Sequence, residues 1–248
     1  MKSSRLIAGS IAAAIGVLVA TGAGAQEVEP ASQSSAFIFN SLLFLISGMV
    51  VMFMAAGFCM LEVGMVRSKN AATICLKNIA LYSIAGIMVW LFGYNVIYNV
   101  PEGGFLSTNW WIWNGAANGG DIPGQLDAGY AAHSDWYFQM VFVATAASIV
   151  SGTLAERIKL LPFLIFTALL TGFIYPIQAG WEWGGGWLDA MGFSDFAGST
   201  LVHSTGGWAA LTGAIILGPR IGKYVDGKVH PMPGSNLPLA TLGTFILW

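Results

Sequence analysis

His203 is the residue hardest to account for as packing. It lies in an apolar stretch, Thr200–Leu217, where an ionisable side chain is costly and points to a function or a polar partner. A neutral imidazole offers one donor and one acceptor, enough to line a path for a small polar molecule. The bland alternative is a histidine hydrogen-bonded to a neighbouring helix. Asp195 stands eight residues upstream, about 12 Å away if the segment is helical. An Asp ahead of an apolar helix is first of all an N-cap. The same fixed charge beneath an outer vestibule would also stabilise an arriving cation. At that separation the two residues are too far apart to act as an acid–base pair without a bridge, which argues against an enzyme.

Aromatic residues supply the second chemistry. Trp110, Trp111, Trp113, Trp136, Trp181, Trp183 and Trp187 cluster in the polar connections. Such residues commonly form an interfacial belt, but an aromatic face also attracts a cation without neutralising it. Trp183 is the best candidate, because Gly184-Gly185-Gly186 follows it and bare backbone would leave the indole room to face a cavity. Phe138 and Phe142 are four residues apart and so share a helix face. Packing is the ordinary reading; over a polar pore Phe142 would act as an apolar gate. There is no P-loop, nucleophile elbow or Cys/His metal spacing. His133 and His230 fall at opposite membrane faces in the topology below, so no metal site is expected. Cys59 and Cys75 sit in apolar segments, which argues against a disulfide framework.

The elements that must position these residues follow from composition. Of 248 residues, 56% are hydrophobic and only 9% charged, against about 25% charged in an ordinary globular chain. Mean hydropathy is +0.69. This excludes a disordered chain, a basic nucleic-acid binder and an ordinary soluble enzyme. It predicts an all-α polytopic membrane protein. Crossing a hydrocarbon core of about 30 Å takes about 20 residues. The expected spans are Ala36–Met65, Ile74–Val96, Tyr137–Ala155, Leu160–Gly180 and Thr200–Leu217, with a sixth starting near Leu237. Those last 12 residues reach only about 18 Å, so the chain is expected to be part of a longer protein. Glycines including Gly48, Gly57, Gly64, Gly152, Gly206 and Gly213 stud the spans and predict close helix approach.

Residues 1–25 read as a signal peptide, with Lys2 and Arg5, an apolar run, and Ala23-Gly24-Ala25 as a cleavage site. Residues 26–35 would then be a periplasmic N-terminal segment, and 36–248 the transmembrane domain. Arg67, Lys69 and Lys77 follow the first span, Arg157 and Lys159 the third, and Arg220, Lys223 and Lys228 the fifth. The intervening connections hold no basic residue and several acidic ones. The positive-inside rule then puts the mature N-terminus outside a bacterial inner membrane and the basic loops inside. Glu62, near the inner end of the first span, is expected to pair with Lys77 or a backbone group.

At these residues the sequence resembles the ammonium transporter (Amt/Rh) family. The most specific match is Asp195-Phe196-Ala197-Gly198-Ser199-Thr200-Leu201-Val202-His203. Val66-Arg67-Ser68-Lys69-Asn70, Leu154-Ala155-Glu156-Arg157 and Trp183-Gly184-Gly185-Gly186 support it, in family order. Ser199 departs from a frequent Gly. The resemblance implies an eleven-helix fold of two inverted five-helix repeats and a final helix, assembled as a homotrimer with one pore per subunit. This chain would hold the first five-helix repeat and the start of helix six. Carried over by motif, Trp183 and Phe138 are similar to the outer recruitment aromatics and Phe142 to a gate phenylalanine. Asp195 is similar to the vestibule aspartate, and His203 to the first of two pore histidines. The resemblance implies ammonium or ammonia as substrate, the lipid bilayer as surroundings and a cytoplasmic PII-type protein as regulatory partner. It implies no cofactor and no nucleic acid.

The implied mechanism has a physical rationale. A bare cation in a narrow apolar pore meets a large desolvation penalty, and each aromatic contact offsets only about 0.5–2 kcal/mol. Releasing a proton leaves neutral ammonia, which an apolar pore tolerates. Potassium and sodium ions cannot shed their charge in this way. A sensor of the same fold, signalling rather than transporting, is the competing reading.

Overall fold

A computed structural model describes residues 32–112 and 126–248. The expected signal peptide and most of the following polar segment lie outside these residues, as does Trp113. Five helices are long and apolar enough to cross a membrane: α1 (Gln33–Met65), α2 (Ser68–Tyr98), α3 (Ala132–Leu154), α4 (Leu160–Gly180) and α5 (Ser199–Leu217). A shorter apolar helix follows, α6 (Leu237–Leu247). All five expected spans are present. α1 has 33 residues, about 50 Å of helix, so it outruns the hydrocarbon core.

Two helices start earlier than hydropathy alone indicates. α2 begins at Ser68 rather than Ile74, and α3 at Ala132 rather than Tyr137. In each case the extra turns carry polar residues whose hydrogen bonds are met, by tertiary partners for Asn70 and Asp135 and locally for Ser134. Asn70 donates to Glu156. Ser134 donates to the Ala131 carbonyl at 2.7 Å. Asp135 is 3% exposed and accepts the Tyr94 hydroxyl at 2.6 Å.

α3 is the most enclosed helix, buried at intervals from Ala132 to Leu154 and packed against α1, α2 and α5. α1 and α6 approach closely through small residues. A Cβ on Gly64 would come within 2.6 Å of the Ala240 nitrogen, and one on Gly243 within 2.5 Å of the Leu61 nitrogen. Helix association in lipid gains from such backbone proximity, since apolar surface has no water to escape.

Three spans carry a π-turn, Val89–Gly93 in α2, Leu170–Ile174 in α4 and Ser199–Ser204 in α5. The first two face each other, and Phe92 stacks on Phe173 with centroids 5.5 Å apart.

The charged residues inside the spans are paired, as expected. Lys77 Nζ lies 3.2 Å from Glu62 Oε2, with both side chains almost fully buried. Lys77 also donates to the Ser151 carbonyl at 2.7 Å, and the Ser151 hydroxyl donates to Glu62 at 2.7 Å. The Phe163 ring faces the ammonium at 5.0 Å. Four helices thereby meet at one ion pair.

A second cluster ties the basic loops together. Glu156, with a left-handed φ of 61°, meets Arg67 Nε at 3.0 Å and Arg220 Nη1 at 3.0 Å. Burial opposes its charge, yet the hydrogen bonds from Asn70 and Arg67 and the Arg220 charge outweigh this and hold the carboxyl below its usual range. The loops that follow α1, α3 and α5 therefore converge at one end of the bundle, as the alternation of basic residues requires.

Removing one partner of a buried pair leaves an uncompensated charge, which costs about 3–5 kcal/mol. Lys77→Met should therefore lower the thermal unfolding midpoint of the complete protein in detergent. The double variant Glu62→Leu/Lys77→Met should recover most of the loss. An unchanged midpoint in the single variant would mean that the pair is not buried.

Candidate functional site

Asp195 organises the site. The backbone from Asp195 to Gly198 is not helical, and α5 starts at Ser199. Gly198 has φ +86°, a conformation open to glycine at no steric cost. This turn folds the Asp195 carboxylate back over the helix start. Oδ1 accepts from the Gly198 and Ser199 nitrogens at 2.8 and 3.1 Å, and Oδ2 from those of Thr200 and Leu201 at 2.8 and 2.7 Å. Four N–H groups that a helix leaves without intrahelical partners are thus satisfied by one side chain. Burial opposes the charge of Asp195, but these four hydrogen bonds prevail and hold its carboxyl below the usual range.

Because α5 starts at Ser199, His203 is not 12 Å from the level of Asp195. It sits four residues into the helix, about 6 Å along the axis. Its side chain is exposed and makes no hydrogen bond among the described residues. No neighbouring helix among the described residues bonds the imidazole.

Trp183 is held by the same turn. Its indole Nε1 donates to the Asp195 carbonyl at 2.7 Å. Of the three glycines after it, Gly185 has open space where a Cβ would stand and a left-handed φ of +75°, whereas Gly184 and Gly186 are closely approached by backbone. A Cβ on Gly184 would come within 1.9 Å of the Ile97 carbonyl oxygen. Close passage of backbone, not an open cavity, dictates this glycine.

Phe142 lies beside Trp183, with centroids 6.1 Å apart and planes inclined at 58°. Phe138 meets Phe142 edge-on at 5.0 Å. Phe142 and Trp183 pack against the apolar cluster that includes buried Val202, the neighbour of His203. The structure therefore brings Trp183, Phe142, Phe138 and the Asp195 carbonyl together. It sets His203 one turn deeper, beside the cluster and outside its ring contacts.

Three residues escaped the sequence reading. Phe44 on α1 stacks on Phe138 at 5.2 Å, and Tyr130 meets Phe44 edge-on at 5.1 Å. Five rings, from Tyr130 through Phe44, Phe138 and Phe142 to Trp183, form a continuous series across two helices and two connections. No local spacing could have linked them. Glu182, adjacent to Trp183, accepts from the Asp195 nitrogen at 2.9 Å. Burial, with the charges of Asp195 and Asp189 outweighing that hydrogen bond, raises its carboxyl above the usual range.

This bundle and its capped, partly unwound helix start define a polytopic helical membrane protein with an aromatic-lined site at one end. A profile of the Ammonium Transporter Family matches residues 42–248. The chain is 38% identical over 244 residues to the ammonium transporter Amt2 of Archaeoglobus fulgidus, covering 94% of this chain and 50% of that protein. It is 41% identical over 209 residues to the ammonium transporter Amt2 of Haloferax mediterranei, covering 80% and 43%. Among solved structures, a chain titled Sensor Amt Protein matches with a TM-score of 0.75 and 39% identity, covering 84% of this chain and 52% of that one. The chain belongs to the Ammonium Transporter Family. It spans about half the length of the curated relatives it matches.

Asp195→Ala should destabilise the complete protein by about 1–2 kcal/mol at neutral pH, the cost of a lost helix cap. Asp195 has a lowered pKa in the folded state, so its contribution is present above the ordinary carboxylate value of about 4 and is lost as pH falls through the folded value. The stability gap between the two proteins should narrow on acidification below pH 4, read from unfolding followed by far-ultraviolet circular dichroism. A gap independent of pH would rule out the carboxylate as the cap.

Proposed function

We propose that this chain forms the first half of an ammonium transporter that recruits ammonium at an aromatic outer vestibule, removes its proton and conducts ammonia past His203. The observation that carries the reading is the junction at Asp195. One residue caps the helix that bears His203 through its carboxylate and holds Trp183 through its carbonyl. Recruitment surface and pore lining are thereby set in one rigid relation.

Trp183 and Phe138 recruit the cation, Phe142 gates, and Asp195 supplies fixed negative charge below the vestibule. An imidazole that no group among the described residues engages is available to hydrogen-bond neutral ammonia in turn. The complete protein is a multi-pass protein of a bacterial inner membrane. It has its mature N-terminus in the periplasm and assembles as a homotrimer. Its basic loops meet a cytoplasmic PII-type regulatory protein, and it needs no cofactor.

The test is uptake of labelled methylammonium by the complete protein in vesicles. His203→Leu should abolish coupled ammonium transport or its selectivity over potassium. Trp183→Leu should raise KM roughly two- to thirty-fold with little change at saturation, the equivalent of one cation–π contact. Unaltered transport in the His203 variant would refute the pore role. A sensor of the same fold makes the opposite prediction: specific ammonium binding without uptake.

A further inference from the structure

We infer that the basic end of the bundle contains a binding site for a phosphate-bearing anion, between the loops that follow α3 and α5. A cavity of about 320 Å³ opens there, lined by Arg157, Pro219, Arg220, Lys223, Tyr224 and Met232. That volume falls within the range of small-ligand sites. Three of its six lining residues are cationic and none is acidic.

The neighbouring charges do not neutralise it. Arg67 and Arg220 share the single carboxylate of Glu156. Lys223 forms no ion pair among the described residues. Arg157 is fixed by donating from Nη1 to the Gly218 carbonyl at 3.1 Å. Its Nε is buried and has no hydrogen-bond partner among the described residues. A buried N–H without an acceptor is costly, so Arg157, on the wall of this cavity, is incompletely satisfied among the described residues.

The third cation is also held in place. Residues Tyr224–Val225 and Lys228–Val229 form a small antiparallel hairpin whose turn residues Asp226 and Gly227 both have positive φ. Lys223 receives the His230 N–H on its carbonyl at 2.8 Å and donates its own N–H to Arg220 at 3.0 Å. Asp226 is carried at the hairpin turn and does not line the cavity.

Planar guanidinium groups bind phosphate oxygens with charge-assisted hydrogen bonds, and an ammonium adds a point charge. Arg157 lies three residues past the end of α3 and Arg220 three past the end of α5, the level at which a bilayer presents its headgroups. The phosphate could therefore belong to an anionic lipid or to a free solute.

The experiment uses the complete protein in neutral detergent at low ionic strength. It is titrated calorimetrically with inorganic phosphate, with dioctanoyl phosphatidylglycerol, and with dioctanoyl phosphatidylcholine as the zwitterionic control. Saturable binding of either anionic probe is expected. Lys223→Gln should weaken it about three- to tenfold, and Arg157→Gln by at least as much. Binding confined to the anionic lipid assigns the site to a headgroup; binding of inorganic phosphate assigns it to a free anion. Lys223 holds nothing else together through its side chain, so its variant decides the matter should the Arg157 variant misfold. Three results would overturn the inference: no saturable binding of either anion, equal binding of both lipids, or an affinity unchanged by Lys223→Gln.

Discussion

The first turn of a helix exposes N–H groups with no intrahelical carbonyl to receive them, and everything at the candidate site depends on how that deficit is met. Asp195 meets it alone, with two carboxylate oxygens serving four backbone donors. The carboxylate can do so because Gly198 turns the chain back through a left-handed conformation. Once it is seated, the direction of α5 and the register of His203 are set. The carbonyl of the same residue receives the Trp183 indole, so one folding decision positions both the aromatic surface and the histidine.

Charge is handled by the same economy elsewhere. Glu62 and Lys77 are buried among four helices, where a lone charge would be intolerable, and Ser151 contributes both a donor and an acceptor to the pair. At the basic end, Glu156 collects two arginines and Asn70 from loops far apart in sequence. The segments Val66–Asn70 and Leu154–Arg157, separate matches along the chain, turn out to be two sides of one contact. Their residue types build a clamp between loops.

Much of this was legible without coordinates. Five apolar stretches, alternating basic loops and a paired Glu62 follow from the energetics of lipid and from the distribution of charge. The early starts of α2 and α3 were hidden because hydropathy counts Asn70, Ser134 and Asp135 as polar whether or not a partner satisfies them. Two local readings needed correction. Of the glycines after Trp183, Gly184 and Gly186 permit close backbone passage, while only Gly185 stands in open space. The segment from Asp195 to Gly198 is a turn rather than a helix, which shortens the rise to His203.

The sequence by itself determined that the chain is a helical membrane protein, because hydrophobic length and charge bias act locally and read directly from residue order; the family resemblance rested on its motifs. It also singled out Asp195, Trp183 and His203 as chemically unusual for their surroundings. Only the tertiary structure decided that Phe44 and Tyr130 continue the aromatic series, and that four donors converge on one carboxylate. Neither is written in any local spacing. Ring contacts and hydrogen bonds act over a few ångströms, and only packing brings residues so distant in the chain within that range.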